Sequence, residues 1–158
     1  VTTQARIAIV READLEDLLP LMRAYCDFYE VAPTDEALLG MSRALIADGV
    51  GGAGSEGIQL IARDTQGSAI AFATVFWTWQ TLSASRAAVM NDLFVAEHAR
   101  GTGTAEALIA ACGDAARAHG APKLSWTTAK DNLRAQAVYD RVGGRRSEWL
   151  DYDLPLSP

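Results

Sequence analysis

The sequence is short of the features that mark exported, membrane-spanning or nucleic-acid-binding chains. It has two cysteines, Cys26 and Cys112, too few for a disulfide framework; each lies among apolar neighbours at helical spacing and reads as a buried thiol. No stretch approaches the ~18 to 20 uninterrupted apolar residues of a membrane span, and the N-terminus has no basic segment leading into an apolar core. A soluble, unexported, cytoplasmic protein is the expectation. Lys and Arg number 14 against 20 Asp and Glu, a formal net charge of -6, which is the wrong sign for gripping a nucleic-acid backbone and suits a cationic partner. The histidines, His98 and His119, stand far apart with no cysteine cluster beside them, so no metal site is expected and both read as exposed.

What is present is apolar material in ordered alternation. With 158 residues, 49% of them hydrophobic, the chain can bury one core, and a single domain over residues 1–158 is expected. Arg6 to Val10 reads as a strand. Asp14 then opens a helix whose Leu15, Leu18, Leu19, Met22 and Cys26 keep a spacing of three and four. Thr34 suits the N-cap of a second helix, with Asp35 and Glu36 in its first turn and Leu38, Met41 and Leu45 on one face. Gly49 to Gly57 holds five glycines and reads as a mobile loop. Ile58 to Arg63 and Ala69 to Trp79 flank Asp64-Thr65-Gln66-Gly67, which is hairpin chemistry, and Ala87 to Val95 adds a third strand to an antiparallel meander. Helices are expected from Thr104 to about His119 and from Asn132 to Val142, with strands at Lys123 to Ala129 and Ser147 to Leu154. The sum is an α/β fold: a mixed, mostly antiparallel sheet of about six to seven strands, with about four helices on both faces.

The segment Asn91 to Ala105 carries the chemistry. A strand ends, Arg100-Gly101-Thr102-Gly103 makes a turn, and a long amphipathic helix begins at Thr104. A helix start of this kind offers backbone N–H groups and the positive end of the helix dipole to an anion. Gly101 and Gly103 let the backbone approach a diphosphate, and Arg100 adds a positive charge. Neither common phosphate motif fits. Glu106 stands where a dinucleotide fingerprint needs a small residue, and the Gly-Lys-Ser/Thr ending of a Walker loop is absent.

Arg100-x-x-Gly103-x-Ala105 resembles the Arg/Gln-x-x-Gly-x-Gly/Ala signature of the GNAT acetyltransferases. Asn132, Ala135, Tyr139 and Gly143-Gly144 resemble the Asn-x-x-Ala-x-x-x-Tyr segment of that family, in register with the first match, and the likeness extends from Arg6 to Leu154. It implies acetyl-CoA as co-substrate. The turn formed by Arg100, Gly101, Thr102, Gly103, Thr104 and Ala105 would hold its pyrophosphate, and the backbone of Leu93, Phe94 and Val95 would pair with its pantetheine arm. Asn132 would touch the cofactor, and Tyr139 would act as general acid toward the departing thiolate. Asn132 is also a good N-cap, and Tyr139 also suits the apolar face of its helix.

Met90 to Val95 looks like the corresponding strand of the polyamine and thialysine acetyltransferase branch, which often carries an acidic residue where this chain has Asn91. Asp92 is the nearest carboxylate able to take a proton from an amine or to anchor it, and it also suits a solvated or capping role. By the same resemblance the acceptor pocket draws on Tyr25, Asp27, Tyr29, Glu30, Trp77 and Asn91, with Trp79 nearby; carboxylates beside aromatic faces suit an organic cation. The expected reaction is acetylation of a small-molecule primary amine, and a homodimer is the candidate assembly. Acetylation of protein N-termini or lysines, and acyl-CoA sensing without turnover, remain open at this point.

Overall fold

The computed structural model describes residues 4–47 and 56–156. The expected glycine loop therefore lies outside the described residues, apart from its end at Gly57. The chain divides into two compact units, one reaching Thr127 and one beginning at Thr128.

The first unit holds a five-stranded sheet in the order β1-β2-β3-β4-β5. Its strands are β1 (Arg6–Ile9), β2 (Gly57–Arg63), β3 (Ala69–Gln80), β4 (Ser85–Val95) and β5 (Leu124–Ser125), and its helices are α1 (Leu15–Phe28), α2 (Asp35–Ala47) and α3 (Thr104–Ala118). β1 to β4 pair antiparallel and β5 joins β4 in parallel. At the β2–β3 hairpin, Asp64 Oδ1 accepts from the Gln66 and Ser68 amides at 2.9 Å each. Gly67 supplies the left-handed residue, φ +89°, that the turn requires. Gly57 has a different constraint: a Cβ there would lie 2.1 Å from the Val75 carbonyl oxygen, so the close approach of β2 to β3 admits no side chain.

Alternation along β3 divides the core. Phe72 joins Leu15, Leu18, Leu21 and Met22 of α1, with Val10 and Ile61, in one cluster. Trp77, of opposite parity, belongs to the other face, where α3 turns in Leu108, Ile109, Cys112 and Ala116. Arg63 pins α1 to the hairpin, bonding Asp14 at 2.8 Å, Asp17 at 2.7 Å and the Gly67 carbonyl at 3.0 Å. The Thr34 hydroxyl caps α2 by accepting from the Ala37 amide at 3.2 Å. Cys112 is buried, and burial pushes its thiol up to about 12, as suits an inert structural cysteine.

The second unit contains α4 (Leu133–Arg141). The Asn132 side chain caps it, accepting from the Ala135 amide at 3.2 Å. Gly143 follows at φ +82°, and the Gly144 amide donates to the Tyr139 carbonyl at 2.8 Å, closing the helix with a glycine cap.

Two expectations about the sheet are corrected. The strand expected over Lys123 to Ala129 pairs only at Leu124 and Ser125, because its neighbour β4 bulges two residues beyond the last pair and a bulge twists a strand away from its ladder. Ser147 to Leu154 forms no strand among the described residues; the segment has strand alternation but no ladder partner. Among the described residues the sheet therefore has five strands rather than six or seven.

Candidate active site

The bulge in β4 organises the site. Thr74 stands opposite Asp92 and Val75 opposite Met90, so Asn91 is the extra residue with no counterpart on β3. Such an insertion bends the strand and re-aims the side chains around it. The parallel ladder to β5 covers only Ala88–Leu124 and Val89–Ser125. From Asn91 to Val95 the outer edge of β4 thus has no strand beside it among the described residues, which leaves the outward-facing backbone groups of this stretch able to pair with an extended ligand.

Beyond this edge the chain turns into α3. Gly101 and Gly103 take left-handed conformations, φ +78° and +82°, and Gly103, the N-cap residue, has no side chain with which to cap the helix. The Thr102 hydroxyl donates to the Ala99 carbonyl at 2.6 Å, so its 2.8 Å contact with Thr104 is one in which the Thr104 hydroxyl donates. Arg100 donates from Nε to the Val95 carbonyl at 2.9 Å, and its guanidinium lies 6.0 Å from the centre of the Phe94 ring. A Cβ at Gly101 would meet nothing within 4 Å, so the turn is open on that side. A helix start with a glycine at its N-cap, a second glycine beside it and a tethered arginine fit a diphosphate.

On the α1 face, Asp92 is the centre of a polar cluster. The Tyr25 phenol stands against Asp92 and Tyr29, and burial, with the Asp92 charge second, pushes its pKa well above the ordinary phenol range. Asn91 donates from Nδ2 to Asp92 Oδ1 at 3.0 Å. The Tyr25 ring packs edge-on against Phe72 and Phe94, with centroids 5.8 and 6.3 Å away. A cavity of about 420 Å³ opens beside this cluster, lined by α1 residues including Asp27 and Phe28, by Phe94 and Ala96, and by Glu97 and Arg100. Glu30, at φ +57°, turns the chain out of α1.

The structure thus brings together Tyr25, Tyr29, Asn91 and Asp92, and places Asp27 and Phe94 at the adjoining cavity. Trp77 is not with them. It lies on the opposite face, stacked on His119 with centroids 4.3 Å apart and planes at 11°. Its parity along β3 places it on the other face from Phe72, and so away from the Asp92 cluster. Trp79 is exposed beneath the Arg86 guanidinium, 4.7 Å away. His119, expected to be exposed, is half-buried, accepts from Arg86 at 2.6 Å, and is held below its usual pKa by burial and by the Arg86 charge. Tyr139 and Asn132 belong to the second unit, on and at the head of α4. Among the described residues no group of His, Cys, Asp and Glu could hold a metal ion, and no helix is long and apolar enough to cross a membrane.

Sequence reasoning passed over Gln59 and Thr74. Both are buried, and with Asp92 they form one row across the sheet. Gln59 donates from Nε2 to Thr74 Oγ1 at 3.3 Å, while its Oε1 is buried without a partner. Polar residues inside the apolar runs of β2 and β3 were the available signal.

Comparison with known proteins identifies the family. The family model described as the acetyltransferase (GNAT) family matches residues 16–144. The "uncharacterized N-acetyltransferase YhfO" of Bacillus subtilis (strain 168) is 30% identical over 137 residues, 85% of this chain and 87% of that protein. The crystal structure of a probable acetyltransferase superimposes with a TM-score of 0.83 at 28% identity, covering 97% of this chain and 99% of its own. The aminoglycoside N-acetyltransferase AAC(6')-Iy, solved in complex with CoA, shares the fold with a TM-score of 0.82 at 20% identity, over 98% of this chain and 97% of its own. The chain belongs to the GNAT family of acetyltransferases.

Proposed function

We propose that this protein, acting as one domain over residues 1–158, transfers the acetyl group of acetyl-CoA to a primary amine of a small molecule. The observation that carries the reading is the glycine turn at the head of α3, which follows directly on the unpaired edge of the bulged strand β4. Acetyl-CoA supplies an activated acetyl group. The turn from Arg100 to Ala105 holds its pyrophosphate, the backbone of Leu93, Phe94 and Val95 pairs with its pantetheine arm, and Asn132 contributes through its place in the family motif.

An alkyl amine with a pKa near ~10.4 is protonated at neutral pH and must lose that proton before it can attack. Asp92 receives it, held in place by the Tyr25 phenol and the Asn91 amide. As the new C–N bond forms and the C–S bond breaks, Tyr139 gives a proton to the leaving sulfur, and the second proton that the nitrogen sheds in becoming an amide restores the phenol by way of solvent; a phenol with a pKa of about 10 is suited to this at short range. Tyr25, Tyr29, Asp27 and Glu30 then form the acceptor side, where carboxylates beside aromatic rings favour an organic cation. The aminoglycoside acetyltransferase of similar fold is consistent with such an acceptor class.

The test is thiol release from acetyl-CoA across a panel of amines and peptides, with Tyr139→Phe as the control. Turnover of free amines that drops in the variant supports the proposal. Turnover of peptides alone, tight acetyl-CoA binding without turnover, or equal rates for both proteins would each contradict it.

A further inference from the structure

Two polar side chains lie inside the face of the sheet that α1 covers. Gln59 and Thr74 are 2% and 0% exposed, while the neighbouring row on the same face, Ile61, Phe72 and Phe94, is apolar throughout. A buried polar group destabilises a core unless it is hydrogen-bonded, so packing alone gives no reason for the row. Gln59 stands opposite Thr74, and Thr74 stands opposite Asp92 at the last paired position before the Asn91 bulge. Gln59 donates from Nε2 to Thr74 Oγ1 at 3.3 Å, with Met22 Sδ of α1 3.7 Å away, and its own Oε1 is left buried without a partner. The amide is thus placed for what its nitrogen gives. Thr74 Oγ1 is the acceptor in that bond, so the hydroxyl hydrogen remains to be donated.

Across the ladder from that hydroxyl lies the Asp92 carboxylate. Side chains directly opposite each other on an antiparallel pair stand about 4.5–5.5 Å apart at Cβ, within reach of a hydroxyl and a carboxylate. Asn91 bonds Oδ1 at 3.0 Å and Tyr25 stands against the carboxylate from α1, but neither belongs to the strand opposite. We propose that Thr74 is the positioning residue of Asp92: with its oxygen engaged by Gln59, it directs its hydrogen across to the carboxylate and fixes the orientation in which Asp92 receives the proton of the attacking amine. A charged acceptor strengthens such a bond, and donation from Gln59 polarises the hydroxyl that makes it. The kinetic role rests on Asp92 being the proton acceptor, whereas the hydrogen bond does not.

Proton NMR reads the bond without turnover. A buried hydroxyl bonded to a carboxylate exchanges slowly, so the Thr74 hydroxyl proton is expected as a downfield resonance that moves upfield in Asp92→Asn. In steady-state kinetics, Thr74→Val should lower kcat roughly tenfold or more, the usual weight of a hydrogen bond to a charged group, at unchanged KM for acetyl-CoA. Thr74→Ser, which keeps the hydroxyl, should restore most of the rate, and Thr74→Val should lower kcat no further in an Asp92→Asn background. A hydroxyl resonance that is missing, or unmoved by Asp92→Asn, would overturn the proposal, as would a Thr74→Ser variant no faster than Thr74→Val. If Thr74→Val does not fold, the resonance in the unaltered protein and in Asp92→Asn still decides. A resonance that moves in a protein that turns over no amine would support the positioning and count against acetyl transfer instead.

Discussion

The Tyr25 phenol stands against the Asp92 carboxylate, linking the C-terminal half of α1 to the strand that bulges at Asn91. Through this contact a helix reaches the carboxylate assigned as proton acceptor. The Tyr25 ring is itself fixed by Phe72 and Phe94, so the phenol is presented from a packed position rather than from a mobile loop.

Replacing Asp92 by Asn keeps the size and the hydrogen-bonding capacity of the side chain but removes its charge and basicity. The variant should fold normally and retain acetyl-CoA binding, while kcat toward amines falls by roughly 10²- to 10⁴-fold, the usual contribution of a positioned base. Steady-state kinetics with circular dichroism as the folding control would show this. An unchanged kcat would remove Asp92 from the mechanism.

Tyr25→Phe retains the ring contacts and deletes the hydroxyl that stands against Asp92, and with it the hydrogen bond through which the phenol would position the carboxylate. Hydrogen bonds to charged groups contribute about 1.5–3 kcal/mol, so kcat/KM should drop by at least about tenfold with the ring packing preserved. A variant with full kcat/KM would show that the phenol does not help to position Asp92.

The glycine turn gives a third expectation. Gly103 sits at φ +82°, a conformation that costs a residue with a side chain roughly 1–2 kcal/mol. Gly103→Val should lower thermal stability modestly and weaken acetyl-CoA binding by more than tenfold, because a branched side chain both strains the turn and covers its amides. Calorimetric titration with acetyl-CoA checks it; undiminished affinity would place the pyrophosphate elsewhere.

Stability at low pH should depend on Asp14. Burial alone would raise its pKa, but the Arg63 hydrogen bond and the Arg11 amide outweigh burial and hold the carboxyl below its ordinary value. The folded state therefore binds this proton less tightly than the unfolded chain. The Asp14 contribution is fully present above the unfolded value near ~3.9 and is lost as pH falls through the lower folded value. Asp14→Asn should cost about 1 kcal/mol at neutral pH, as expected for a partly exposed ion pair, and should narrow the gap to the unaltered protein as the pH approaches 3. Urea unfolding at both pH values measures this; a gap that does not change with pH would contradict it.

Much of this fold was legible because burial imposes different periods on helices and strands. The Leu15–Leu18–Met22 spacing located α1, and the runs on either side of Asp64–Gly67 located the hairpin. The bulge was not legible, since the extra place of Asn91 is a relation between β4 and β3 and leaves no mark on either strand alone. The position of Trp77 was missed for a related reason. Its distance from Phe72 along β3 is odd, so its ring faces α3 and His119, and closeness in sequence to the end of the strand was a poor guide to the face. Residues 147–154 show the reverse case, in which alternation was read correctly but a strand needs a neighbour, and none of the described strands provides one.

The central claim is that the CoA pyrophosphate rests on the amides of the turn before α3. Its most direct test is amide hydrogen exchange across the whole chain with and without acetyl-CoA. Protection concentrated at residues 101–106 and along Leu93–Val95 is the predicted result; protection confined to other segments, or none at saturating acetyl-CoA, would contradict it.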